Sequence, residues 1–303
     1  MSDRAAVVEI DDGRPVVVTP VLLRDWPLPG PEGSKDAKGR LLVVGGSIRT
    51  PGAVLLAAEA ALRVGAGKVQ VATTAGTAVA LATAVPEALV VGLREDADGE
   101  VSPASAGEVL ELAQEADAVL VGPGIGVPSA ARALLEAVVP ALSAPLVVDA
   151  LGTAYLTAHP EGVRHLAGRV VLTPNAHELG QVLRTEADPE GDAVLPATLE
   201  AVRLTGSTVL SGADVSYVVD PDGSAWCVEA GAPGAAAAGS GDVKAGAVGG
   251  LLARRAAPAQ AAVWAAYLHG RAGERLTATT GPVGFLAREL ARQLPHALVE
   301  VEG

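Results

Sequence analysis

"RLLVVGGSIRTPGAVLLAAEAALRVGAGKVQVAT", residues 40–73, decides how the chain is read. A β-branched and leucine run (40–45) ends in glycines, an Ala/Leu-rich helical pattern fills 52–67, and a second β-rich run follows at 68–73. Runs that are apolar on both faces, joined by a helix, predict a parallel strand pair with a crossover. The same alternation continues through "EALVVG" (87–92), "DAVLVG" (117–122), "PLVVDA" (145–150), "RVVLT" (169–173) and "STVLS" (207–211). "SYVVDPDGSAWCVE" (216–229) differs: two runs around an Asp-Gly turn predict an antiparallel hairpin. Helices are expected near 241–255, 258–277 and 283–293. The expected fold is α/β, a mainly parallel central sheet with helices on both faces and the hairpin toward its C-terminal side.

Residues 1–38 read as a polar, proline-rich lead-in arm that packs through Leu22, Leu23 and Trp26. Residues 39–303 show no internal repeat or low-complexity linker and read as a single domain. The balance of 22 basic against 35 acidic residues gives a formal charge of -13, with no basic run of five, so nucleic acid and acidic membranes are not expected as partners. One cysteine, Cys227, has no internal disulfide partner and fits a reducing cytoplasm. The opening "MSDRAAVVEIDDGRP" has no apolar signal core, and no membrane span is expected.

In open parallel sheets, ligands gather beyond the carboxyl ends of the strands. Four glycine-bearing or turn motifs fall at such ends: "GGSIRTPGA" (45–53), "GPGIG" (122–126), "DALGT" (149–153) and "TPNAHE" (173–178). One such turn says little, but four around one edge point to a crevice. Neither G-x-G-x-x-G nor a Walker loop occurs. "GSGD" (239–242) then opens a helix with amides suited to an anion, yet places Asp242 beside them. An aspartate there also complements the helix dipole, so a capping charge is one reading. The chemical reading is a base that takes the proton of a hydroxyl attacking a bound phosphate. Asp149 at a strand end and Glu178 at a helix start are candidates to hold a metal through water. His269 and Gly270 read as helix packing.

Taken in order, "GRLLVVGGS", "TPGA", "VGAGKVQVAT", "PEALVVGL", "VLVGPGIG", "VVDA", "LTPNAHE", "GSGDVKAG" and "YLHGRAGE" resemble the ADP/ATP-dependent (S)-NAD(P)H-hydrate dehydratases of the ribokinase-like superfamily, from about residue 19 to 294. The resemblance implies a lyase of nicotinamide nucleotide repair, in which the ring hydroxyl of hydrated NADH or NADPH is phosphorylated from ADP or ATP and phosphate then leaves. It implies Asp242 as the catalytic base and Ala53, Gly124, Asn175 and Asp242 at the substrate. It implies Ser211, Gly212, Ala213, Asp214, Val215, Gly239, Ser240 and Gly241 at the nucleotide. Mg²⁺ as cofactor, a homo-oligomer and a separate epimerase are further expectations. A nucleotide-binding relative without turnover, or a kinase for another small-molecule hydroxyl, would share the fold.

The sequence departs from the family pattern at several positions. Ser211 stands where members usually carry a lysine near the nucleotide phosphates, and Asn175 where many have histidine. Ala232 and Ala237 replace asparagine and threonine, His177 replaces glycine, and Lys244 replaces an apolar residue. Restoring lysine at 211 and threonine at 237 is expected to strengthen nucleotide binding. Lys244 lies two residues after Asp242, a spacing that turns side chains to different sides of a helix, and is not expected to reach the phosphates.

Overall fold

Ten strands form one sheet in a computed structural model that describes residues 14–30, 35, 37–231 and 237–303. They are β1 (Val16–Val17), β2 (Arg40–Val44), β3 (Lys68–Thr74), β4 (Leu89–Leu93), β5 (Ala118–Val121), β6 (Leu146–Val148), β7 (Val170–Leu172), β8 (Thr208–Gly212), β9 (Ser216–Val219) and β10 (Ala225–Val228). The first helices are α1 (Pro20–Asp25), α2 (Gly52–Arg63), α3 (Ala75–Ala84), α4 (Ala106–Gln114) and α5 (Pro128–Val138). After them come α6 (Thr153–Ala158), α7 (Ala176–Leu183), α8 (Val194–Thr205), α9 (Ser240–Ala253), α10 (Pro258–Thr279) and α11 (Ala287–Glu302).

The strand order is β1-β10-β9-β8-β7-β6-β5-β2-β3-β4. From β4 through β8 every pair is parallel, while β9 runs antiparallel to both β8 and β10. The chain therefore moves outward from β2 to β4, returns beside β2 as β5, and continues the other way. That reversal opens a crevice at the carboxyl ends of β2 and β5.

Alternation along β2 shows why the sheet needs both layers. Leu41 and Val43 join a core with α2, α9, α10 and α11, whereas Leu42 and Val44 join one with residues of α4 to α8. Helix α9 is buried for most of its length, so its small residues are a packing requirement. A Cβ on Gly246 would fall 2.2 Å from the Ala57 carbonyl oxygen, and one on Gly250 would fall 2.8 Å from Ala61 Cα. The backbones of α9 and α2 thus meet almost directly.

Two differences from the sequence expectation stand out. The lead-in contains β1, which pairs in parallel with β10, as well as α1. Its Leu23 is buried, and Trp26 stacks on Trp226 with ring centroids 5.5 Å apart. Trp264 Nε1 donates to the Trp26 carbonyl at 2.9 Å. The last helix starts four residues later than expected and continues through Pro295 to Glu302, because Leu294, Ala297 and Val301 bury one face of it. No helix among the described residues is long and apolar enough to cross a membrane.

Candidate active site

Beyond the ends of β6, β7 and β8, a cavity of about 390 Å³ meets the start of α9 end-on. Asp149 follows β6 and is buried at 4% exposure; its Oδ1 accepts from the Thr173 hydroxyl at 2.6 Å. Burial pushes this carboxyl up to about 8, aided by the charges of Glu178 and Asp242 and opposed by Thr173 and Lys244. The next residue, Ala150, sits at φ 49°, a left-handed conformation that turns the chain out of β6.

After β7, Asn175 caps α7. Its Oδ1 accepts from the Glu178 amide at 2.9 Å, and Glu178 Oε2 accepts from the Asn175 amide at 3.0 Å. The reciprocal bonds fix both side chains at the cavity wall, and desolvation raises the Glu178 carboxyl above its usual range. From β8 come Gly212, Ala213 and Asp214. Gly212 has φ 111°, and a Cβ there would lie 2.1 Å from the Val215 carbonyl oxygen, so the turn demands glycine.

Helix α9 completes the wall with Gly239, Ser240, Gly241, Asp242 and Lys244. Gly239, at φ 89°, brings the chain into the helix. The Ser240 amide is taken by the Ala237 carbonyl at 3.0 Å, and the next amides stand at the open helix end, where no intrahelical acceptor exists. Desolvation, reinforced by the Glu178 charge, raises the Asp242 carboxyl from 3.8 to about 6. Asp242 is thus ionised at neutral pH and more basic than a free aspartate.

Lys244 is a correction to the sequence reading. It lines the same cavity as Asp242, with desolvation lowering its pKa and the charges of Asp149 and Glu178 opposing that shift. His269 also lines the cavity from α10 and is held neutral, pushed down to about 3 by burial and the nearby Lys244. Its Nε2 is buried and finds no partner among the described residues. Gly270 lines the cavity beside it and packs closely, since a Cβ there would lie 2.0 Å from the Ala230 carbonyl oxygen.

Four expected residues stand elsewhere. Ser211 is fully buried, its hydroxyl 2.6 Å from that of Thr198 on α8, and it is not part of the cavity lining. Val215 is also outside the cavity lining and supports the Gly212 turn through its backbone. Ala53 and Gly124 meet each other in the crevice between β2 and β5: a Cβ on Gly124 would come within 2.8 Å of Ala53 Cβ. The two regions adjoin, because Gly239 packs against Leu56, one turn beyond Ala53. Glu100, unremarked in the sequence, is buried and accepts from the Gly126 amide with both oxygens, at 3.0 and 3.1 Å, fixing the loop after β5. Ala232 lies outside the described residues.

Three comparisons bear on this arrangement. A family model described as NAD(P)H-hydrate dehydratase matches residues 41–296. An ADP-dependent (S)-NAD(P)H-hydrate dehydratase of Xanthomonas campestris pv. campestris is 41% identical over 284 residues, covering 93% of this chain and 95% of that protein. The bifunctional NAD(P)H-hydrate repair enzyme Nnr of Moorella thermoacetica is 34% identical over 270 residues, and the match spans 89% of this chain but 51% of that protein. Among solved structures, the ADP/ATP-dependent NAD(P)H-hydrate dehydratase of Bacillus subtilis, co-crystallised with ATP/Mg²⁺, superposes with a TM-score of 0.74 at 25% identity, covering 94% of this chain and 98% of that one.

Proposed function

The chain belongs to the NAD(P)H-hydrate dehydratase family, and from that premise we propose that it returns hydrated NADH and NADPH to NADH and NADPH with ADP as phosphoryl donor. The observation that carries this reading is Asp242 at the open end of α9, inside the cavity that Gly239, Ser240 and Gly241 also line. Amides at a helix start suit a phosphate, and a base beside them suits a hydroxyl that attacks it.

The step balances as follows. The ring hydroxyl oxygen bonds to the terminal phosphorus of ADP, its proton passes to Asp242, and AMP leaves. The carbon–oxygen bond then breaks, the neighbouring ring carbon gives up a proton, and the double bond returns as phosphate departs. Gly239, Ser240 and Gly241 border the phosphoryl group, and the Gly241 amide, next after the occupied Ser240 amide, is open to bind it. Gly212, Ala213 and Asp214 border the nucleotide, while Ser211 and Val215 shape that border from outside the cavity. Asn175 reaches the substrate from the α7 start, and Ala53 with Gly124 receives its remainder in the β2–β5 crevice.

The oxygen donors at hand fit Mg²⁺, which takes few carboxylates and retains water. Among the described residues no group of three His, Cys, Asp or Glu side chains is placed to hold a metal outright. Glu178 and Asp149 would therefore hold it through water, with the nucleotide phosphates as the direct ligands. When bound it would neutralise charge that develops on the transferring phosphoryl group.

Buried Cys227 fits a reducing cytoplasm. A homo-oligomer completes the proposal. The test is turnover of hydrated NADH with Mg²⁺ and ADP, then ATP, followed by the near-ultraviolet absorbance of the reduced nicotinamide. ADP-dependent recovery supports the reading; folded protein that gives none with either nucleotide overturns it.

A further inference from the structure

The cavity has an uneven charge balance. Glu178, Asp214 and Asp242 line it, with Asp149 largely protonated at neutral pH beside them, against one cationic side chain, Lys244. The start of α9 adds the equivalent of about half a positive charge. The carboxylates repel a diphosphate entering such a cavity, and Lys244 is the side chain on its wall that offsets this repulsion.

Lys244 is free to do so. Among the described residues no carboxylate lies within the 4.0 Å of an ion pair with it. The two carboxyls whose charge acts on it also hold other partners: Asp149 accepts from the Thr173 hydroxyl at 2.6 Å, and Glu178 from the Asn175 amide at 3.0 Å. A desolvated cation without a direct partner is costly, and an anion that arrives with the ligand removes the cost. Position agrees with charge, because Gly241, Asp242 and Lys244, all within the first five residues of α9, line the same cavity.

We propose that Lys244 is a phosphoryl-binding residue of this cavity, a cation fixed in the chain that contacts the phosphate group received at the start of α9 and takes over part of the screening a divalent cation provides. The proposal rests on the reading of the cavity as the phosphoryl-transfer site. It adds the side chain that offsets the ionised carboxylates there.

The chain has four lysines, at 35, 38, 68 and 244, which makes the test clean. Lysine is labelled with ¹³C at Cε, the signals are assigned with Lys35→Arg, Lys38→Arg and Lys68→Arg, and pyrophosphate is added with and without Mg²⁺. The Lys244 signal should shift on saturation in both conditions while the other three stay in place. By calorimetry, Lys244→Met should weaken pyrophosphate about ten- to a hundred-fold, the loss of one charge-assisted contact, and leave adenosine within about twofold.

Pyrophosphate binding within about threefold of wild type in Lys244→Met, or an unmoved Lys244 signal at saturation, overturns the proposal. If the methionine variant does not fold, the wild-type signal decides alone. Wild-type protein that binds ADP while Lys244 stays still refutes only the role of Lys244. Protein that binds neither ADP nor pyrophosphate refutes the phosphoryl-transfer reading as well.

Discussion

Replacing Asp242 with asparagine separates a base from a capping charge. The wild-type carboxyl sits at about 6, so about 90% of it is ionised at pH 7, half at pH 6 and about a tenth at pH 5. If the ionised form takes the hydroxyl proton, kcat should fall about tenfold per pH unit below 6. An aspartate at its ordinary 3.8 would keep nearly full rate at pH 5. Asp242→Asn should lower kcat by about 10²- to 10⁴-fold, the usual worth of general base catalysis. It should not weaken ADP, because a carboxylate beside the phosphates repels them. The assays are steady-state turnover from pH 4.5 to 8 and calorimetric ADP binding. The reasoning is refuted if Asp242→Asn stays within tenfold of wild type, or if turnover and ADP affinity fall together, which would mark Asp242 as a structural cap.

Other expectations follow from neighbouring contacts. Glu178→Gln removes a like charge beside Asp242 while glutamine can still close the cap on α7; the acid limb of kcat should move below 6, and an unmoved limb would count against that coupling. Asp149 has a raised folded pKa of about 8, so the stability it contributes is full below pH 4 and is lost as pH rises through 8. Asp149→Asn should lack that loss, gaining roughly 2–5 kcal/mol on wild type between pH 4 and pH 8 in denaturant melts; parallel pH profiles would rule this out. Gly246→Ala drives a Cβ against the Ala57 carbonyl and should cost about 1–3 kcal/mol with a lower Tm; an unchanged Tm would contradict the close α2–α9 contact. Ser211→Lys buries a charge beside Thr198 and should cost more than about 2 kcal/mol with no gain in ADP affinity, whereas tighter ADP would put that side chain in the cavity after all.

The parallel strands were legible because burial on both faces writes them as unbroken apolar runs, as in Leu41–Val44 and Ala118–Val121. The hairpin was legible through its turn, where the Gly223 amide donates to the Asp220 carbonyl at 3.0 Å. Strand β1 was not, since two residues carry no period and their partners, Trp226 and Cys227, lie far along the chain. The end of α11 was missed because Pro295 reads as a stop. The buried face on either side of it outweighs the absent amide, and no local rule weighs that burial.

The cavity was legible wherever a motif sits at a strand end, as with Asp149, Asn175 and the Gly239–Asp242 start of α9. The place of Lys244 on the cavity wall was not legible, because the rule that side chains two apart face different ways concerns a helix lying flat on its neighbours. Helix α9 lies flat along its later turns, where Gly246 and Gly250 meet α2. Its first five residues border the cavity, so residues on opposite sides of the axis share one space. The same geometry accounts for a carboxylate among amides that welcome anions. The helix start alone would favour a low pKa for Asp242, but the cavity that exposes those amides also strips water from the carboxyl and sets Glu178 near it. Desolvation wins, and the group that would otherwise be a weak capping charge becomes a base at about 6 beside the place where a phosphate binds.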